Sequence, residues 1–307
     1  VLTLAAAVLL AANGIPEMQF ADVTAAVKLD FKHENSPTSQ KYLLETMGGG
    51  VALFDFDNDG RLDLFFTNGA RLADPMPGGA APDKSDPRHW NRLYRQSNGG
   101  TFADVTEKAG LSASKSRTYS MGVAVGDFDN DGDRDLYVTG YPANFLYRNN
   151  GDGTFTDITA RAGVAGGGFS SSAGFFDYDK DGDLDLFVLR YLEWSFEKNI
   201  YCGERLPGRR AYCHPDEFGG VTNLLYRNSG DGTFTEVSKQ AGIANPKGKG
   251  LGLAFADYDQ DGWTDVYVAN DSVQCFLYRN KRDGTFEDVS LFAGAGFNDD
   301  GKTFAGM

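Results

Sequence analysis

The segment Asp127-Phe128-Asp129-Asn130-Asp131-Gly132-Asp133-Arg134-Asp135 carries aspartate at positions 1, 3, 5 and 9 and glycine at position 6. Carboxylates this close repel one another in a bare chain. They become favourable together around a hard cation that takes several oxygen ligands, and calcium suits them. Glycine at position 6 permits a sharp turn that lets alternate side chains converge, with the carbonyl of position 7 as a further ligand. An EF-hand needs a glutamate at position 12 and a helix on each side. Here position 12 is Val138, and the flanks Val123-Ala124-Val125 and Leu136-Tyr137-Val138 are short and rich in valine, which reads as strand, loop, strand.

The pattern occurs four times, over 55–63, 127–135, 177–185 and 257–265, each with an aromatic at position 2 (Phe56, Phe128, Tyr178, Tyr258). About four calcium ions are therefore expected. The ligands of the first are Asp55, Asp57, Asp59, Asp63 and the Arg61 carbonyl; of the second, Asp127, Asp129, Asp131, Asp135 and the Asp133 carbonyl. The third takes Asp177, Asp179, Asp181, Asp185 and the Asp183 carbonyl, and the fourth Asp257, Asp259, Asp261, Asp265 and the Trp263 carbonyl. Four such ions would offset more than half of the formal charge of -14. The acidity is then metal-site chemistry rather than a surface for basic partners, and it argues against nucleic acid and anionic membranes as partners.

Around the loops a unit of about 50 residues repeats. A strand of small residues (Met121 to Val125, Leu251 to Phe255) precedes the loop, and an apolar strand (Leu136 to Thr139, Leu184 to Leu189) follows it. A third strand carries Leu-Tyr-Arg (Leu93 to Arg95, Leu146 to Arg148, Leu225 to Arg227, Leu277 to Arg279). The fourth is headed by Phe102, Phe155, Phe234 or Phe286, always eight positions after the tyrosine. Turns such as Asn150-Gly151-Asp152-Gly153 suit tight hairpins. The expected fold is all-β: a β-propeller of four-stranded antiparallel blades at about 48–106, 120–159, 170–238 and 250–290. A solenoid competes, but small first-strand residues suit a crowded axis, and the unit is longer than a β-helix coil.

Asp-Phe-Asp-Asn-Asp-Gly followed by Asp-Leu, with Leu-Tyr-Arg-Asn and Gly-Asp-Gly-Thr-Phe, resembles the FG-GAP/VCBS repeat of calcium-binding propellers. With Met47-Gly48-Gly49-Gly50-Val51-Ala52 and Tyr212-Cys213-His214-Pro215, the chain is similar to the cartilage acidic protein family, often associated with an ASPIC/UnbV domain. The resemblance implies seven blades, so a fragment is expected, with residues 303–307 opening a fifth blade and C-terminal blades missing. Phe20 to Thr24 matches the fourth strand of each blade (Phe102 to Thr106, Phe155 to Thr159). It is expected to close the complete ring, and here to lie without a Leu-Tyr-Arg partner at one end of an open arc.

Residues 1–12, VLTLAAAVLLAA, are too short an apolar run to span a bilayer, which takes about 20 residues. They suit a truncated signal peptide over 1–14, with the propeller from 15 onward and a secreted or cell-envelope location. A buried strand is the alternative.

Two long insertions, roughly 70–90 and 191–221, follow the second strands of the first and third blades. Strand parity puts them on the face opposite the acidic loops, where binding residues can diversify. His89, Trp90, Trp194, Arg209, Arg210 and His214 are the candidate ligand-face residues. In a secreted chain Cys202 and Cys213 are expected to be bonded, a Cys/His metal site with His214 being the alternative. Cys275, at a position held by Asn91, Asn144 and Asn223 in the other blades, is expected to be a buried free thiol. No nucleophile elbow or phosphate loop accompanies the three histidines. The expected function is a calcium-stabilised scaffold that binds an extracellular glycan or protein and is not an enzyme. The alternative is a calcium-dependent polysaccharide lyase on the same fold.

Overall fold

A computed structural model describes residues 20–112 and 117–303. The expected leader lies outside them, as does all but the first residue of the expected fifth-blade segment. No helix among the described residues is long and apolar enough to cross a membrane.

The described residues build four four-stranded antiparallel sheets and one two-stranded ribbon. The first sheet holds β1 (Val51–Phe54), β2 (Asp63–Phe66), β3 (Arg92–Gln96) and β4 (Phe102–Asp104). The second holds β5 (Tyr119–Gly126), β6 (Asp135–Tyr141), β7 (Phe145–Asn149) and β8 (Phe155–Asp157). The third holds β9 (Ser170–Phe176), β10 (Asp185–Arg190), β13 (Leu224–Asn228) and β14 (Phe234–Glu236). The ribbon β11 (Cys202–Gly203) and β12 (Arg210–Ala211) is inserted between β10 and β13. The fourth holds β15 (Gly250–Ala256), β16 (Asp265–Asn270), β17 (Phe276–Asn280) and β18 (Phe286–Asp288). Each acidic loop joins the first and second strands of its sheet. Four-stranded antiparallel sheets are what the repeat predicts.

Second strands are covered on both faces, so they read as apolar runs rather than alternating ones. Leu186, Phe187, Val188 and Leu189 of β10 are all fully buried. First strands pack side by side, β1 on β5, β5 on β9 and β9 on β15. A Cβ on Gly122 would meet the Ser171 carbonyl at 2.6 Å, and one on Gly174 would meet the Phe255 ring at 2.5 Å. That close approach is why small residues fill these strands. Hydroxyls stitch the same seam: Thr67 Oγ1 donates to the Met121 carbonyl (2.7 Å), and Ser171 Oγ to that of Gly250 (2.6 Å). Apolar layers fill the space between blades, with Phe56 and Leu93 of the first against Leu136 and Phe155 of the second.

A corner after the fourth strand locks the first blade to the second and the third to the fourth. Ala109 N–H bonds the Val105 carbonyl, Leu111 N–H bonds that of Thr106, and the Ala109 carbonyl accepts Phe155 N–H at 2.9 Å. Phe20 to Thr24 has no Leu-Tyr-Arg partner, as expected, but its reading as a strand is corrected here. The segment forms no strand; Phe20 is 95% exposed and residues 24–28 turn. What it shares with the repeats is the corner, since Val27 N–H bonds the Val23 carbonyl and the Val27 carbonyl accepts Phe102 N–H at 2.8 Å. A corner needs only its own turn and one receiving strand, so it forms where a ladder strand without a partner does not.

Residues 30–47 and the two insertions gather into a crown at the end opposite the acidic loops. Its core holds Tyr42, Leu44, Leu72, Tyr119, Tyr141, Phe169, Tyr191 and Trp194.

Candidate metal centres and the opposite face

In each loop, one carboxylate oxygen from positions 1, 3 and 9 lies within 4.8 Å of the others: Asp55, Asp57 and Asp63; Asp127, Asp129 and Asp135; Asp177, Asp179 and Asp185; Asp257, Asp259 and Asp265. Position 9 opens the second strand and is buried in every blade. Its two oxygens accept the N–H of position 2 and that of a third-strand residue, as Asp135 does from Phe128 (3.1 Å) and Asn149 (2.8 Å). Position 1 accepts the N–H groups of the turn, as Asp55 does from Asp59 (3.1 Å) and Gly60 (2.7 Å). Position 6 sits at φ 83, 93, 94 and 89° in the four loops, left-handed backbone that selects glycine.

Position 5 is held by the loop itself. Asp59, Asp131, Asp181 and Asp261 stand outside these clusters. One oxygen of each instead accepts the N–H of position 7, at 2.9 to 3.0 Å. A local aspartate turn holds that side chain, leaving its second oxygen as the group that can face an ion.

The clusters carry the mark of a cation site. Asp57 Oδ1, Asp129 Oδ1, Asp177 Oδ1 and Asp179 Oδ1 are buried without a hydrogen-bond partner. Burial, reinforced by the neighbouring aspartates, pushes the carboxyl of Asp135 up to about 8 and that of Asp185 up to about 7. Asp63, Asp129, Asp179 and Asp265 shift the same way, again through burial first. Ionised carboxylates with unpaired inward oxygens need a positive charge among them. Converging hard oxygens and no sulfur or imidazole fit a divalent ion of the calcium type.

One contributor lay outside the sequence reading. The asparagine after Leu-Tyr-Arg bridges two loops: Asn149, Asn228 and Asn280 donate to the position-2 carbonyls of the preceding blade, Phe56, Phe128 and Tyr178, at 2.7 to 2.8 Å. Its signal was available, since asparagine stands there in three blades and Gln96 in the first.

On the opposite face, Cys202 and Cys213 form a disulfide with Cα atoms 5.2 Å apart, and Cys275 is free and buried. The bond removes both cysteines from the alternative metal site, and among the described residues no His or Cys joins a metal-type cluster. The ribbon it closes is braced on the N-terminal segment. Arg210 Nη1 donates to Gln40 Oε1 (2.7 Å), Asn199 Nδ2 to the Gln40 carbonyl (3.0 Å), and the Tyr212 hydroxyl to buried Glu45 (2.8 Å).

Two candidate ligand-face residues are corrected. Trp194 is only 4% exposed, packed edge-on against Tyr42, Tyr141 and Phe169. His89 is buried in the first insertion. Both support the crown from within because the N-terminal segment folds over them. Trp90 is partly buried, its indole N–H on the Lys84 carbonyl (2.9 Å) and the Arg92 guanidinium over its ring. Arg209 and His214 are exposed and Arg210 partly so. Tyr201, Leu206 and Tyr212, which the sequence reading passed over, stand exposed beside them.

Four-stranded blades, each with an aspartate cluster between its first two strands, define a repeat protein of the β-propeller class. The FG-GAP-like repeat model matches at 55–138, 127–188, 216–268 and 257–305, more than half of the chain, and the chain belongs to that family. It is similar to human cartilage acidic protein 1, 23% identical over 222 residues, or 72% of this chain and 30% of that protein. The mouse protein of the same name is 40% identical over 48 residues, 16% of this chain and 7% of the relative. The chain thus spans less than a third of the length of the curated relatives it matches. A solved lectin of Agrocybe aegerita that recognises non-reducing terminal N-acetylglucosamine aligns over 78% of this chain and 64% of its own, at 17% identity and a TM-score of 0.30. A superposition this loose says nothing about ligand.

Proposed function

We propose that this chain is a calcium-stabilised propeller scaffold that presents its crown to an extracellular glycan or protein. The supporting observation is the division of labour between its two ends. One end holds four aspartate clusters, three of them with orphaned inward oxygens, and the other a braced, disulfide-closed ribbon with exposed aromatic and arginine side chains. Calcium, held by positions 1, 3 and 9 with position 5 and the carbonyls of Arg61, Asp133, Asp183 and Trp263, would neutralise the loops and set the blade frame. The reading places Trp90, Arg209, Arg210 and His214 with Tyr201, Leu206 and Tyr212 at the ligand, Trp194 and His89 beneath. Extracellular placement is supported by the disulfide and by likeness to a protein named for cartilage.

The test is a glycan and matrix-protein binding screen of the chain in calcium and in EDTA, beside Arg209→Ala/Tyr212→Ala. Calcium-dependent binding that the crown variant loses supports the reading. Binding untouched by the crown variant, or turnover of an acidic polysaccharide, contradicts it.

A further inference from the structure

The first acidic loop differs from the others in what its carboxylates already hold. Arg95 Nε lies 2.5 Å from Asp57 Oδ2, and Arg95 Nη2 lies 2.9 Å from Asp59 Oδ2. Arg61, at position 7, pairs with Asp59 as well, and its own guanidinium is fixed by Asn98 Oδ1 (2.7 Å) and the Gln96 carbonyl (3.1 Å). Two guanidinium groups therefore sit on positions 3 and 5 of one loop. Position 7 elsewhere is Asp133, Asp183 or Trp263, none of them cationic. In the fourth loop Arg282 pairs with Asp261 at position 5 and leaves position 3 alone.

The arginines equivalent to Arg95 form no ion pair with their loops among the described residues, although Arg148 and Arg227 stay near enough to favour the ionised form of Asp129 and Asp179. Arg148 reaches Asn150 Oδ1 (3.4 Å) and Arg279 pairs with Glu287 (2.8 Å), while Arg227 makes no ion pair among the described residues. The cross-strand neighbour of the arginine differs between blades. Arg95 faces Ala103 on the fourth strand, whereas Arg148 faces Thr156, Arg227 faces Thr235 and Arg279 faces Glu287. Alanine offers no acceptor, and the Arg95 side chain turns to the loop.

We propose that Arg95, assisted by Arg61, makes the loop at 55–63 the weak member of a graded set of calcium sites, so that the first blade fills at higher calcium than the second and third. The inference rests on the calcium reading above. A guanidinium on a ligand carboxylate occupies lone pairs that the ion needs and adds a like charge beside a divalent cation. Arg95 is thus a specificity-determining residue for occupancy, and Ala103 is the position that permits it.

Calorimetric titration of the chelator-stripped chain with calcium chloride tests this, with native mass spectrometry counting bound ions. Wild type should show one site about tenfold or more weaker than the tightest class. Asp57→Asn should delete that weak site alone. Arg95→Gln should strengthen it, and Ala103→Glu, which gives Arg95 the partner that Arg279 has, should do the same while keeping the arginine. Weakening of that site by Arg95→Gln, no change in either variant, or a weak site that survives Asp57→Asn would overturn the inference. Four equivalent ions would refute the grading and leave the calcium reading standing. No bound calcium at all would refute both.

Discussion

The side-chain amide of Asn149 donates to the main-chain carbonyl of Phe56 at 2.8 Å and to that of Arg134 at 3.2 Å. Phe56 lies between Asp55 and Asp57 in the first acidic loop, and Arg134 adjoins Asp135 in the second. One buried amide on β7 therefore ties two acidic loops together. Asn228 makes the same bridge to Phe128 and Leu184, and Asn280 to Tyr178 and Thr264. An ion that ordered a loop would fix the carbonyl on which the next blade rests, and would so couple metal occupancy to blade stacking.

Asn228→Ala should leave the Phe128 and Leu184 carbonyls without this donor and cost about 1–3 kcal/mol. Urea denaturation in saturating calcium measures it. A midpoint unchanged within error would mean that the bridge contributes nothing.

Trp194→Ala should cost about 3–5 kcal/mol, because a fully packed indole leaves a cavity in the crown core. Arg209→Ala, at an exposed position, should change stability by no more than about 0.5 kcal/mol. Thermal melts of the two variants compare them directly, and equal effects would contradict the placement of Trp194 as support.

The disulfide accounts for two of the three cysteines. Thiol labelling of the unreduced, denatured protein should therefore find one reactive group, Cys275; three would refute the bridge. Cys202→Ser/Cys213→Ser should cost about 2–4 kcal/mol by freeing the ribbon in the unfolded chain. That loss should fall on the crown, with calcium stoichiometry retained.

Burial lowers the imidazole pKa of both His33 and His89, and the Lys84 ammonium works in the same direction. The unfolded chain then takes up these protons first as the pH falls. Their contribution is complete above the unfolded value of about 6.5 and is lost as the pH drops through the lowered folded values. In saturating calcium, the melting temperature should fall between pH 7.5 and 5, and less so for His33→Gln/His89→Gln. Identical slopes in both proteins would exclude the two imidazoles as the cause.

What was legible in the sequence is whatever repeats locally. Spacing alone located the four loops and the eight-position step from Tyr147 to Phe155, because a hairpin's contacts lie within a few residues. The crown was illegible for the opposite reason. Gln40 meets Arg210 across 170 positions and Asn199 across 159, in segments that occur once. No periodicity announces that residues 30–47 fold over Trp194, and an isolated aromatic in a polar insertion reads as exposed. At position 5 the same Asp-x-Asp-x-Asp pattern also serves an aspartate turn, a second use that only the geometry reveals.

The central claim is that the four aspartate clusters are calcium sites on which the blades depend. If each binds with a dissociation constant of about 0.1–1 mM, a hundredfold excess of free calcium adds roughly 2.7 kcal/mol per site. Differential scanning calorimetry of the chelator-stripped chain across a calcium series tests this directly. The account predicts a melting temperature that climbs steadily with calcium, is poorly matched by magnesium, and falls back in EDTA. A melt that is the same in EDTA and in millimolar calcium, with no ion retained, would contradict it.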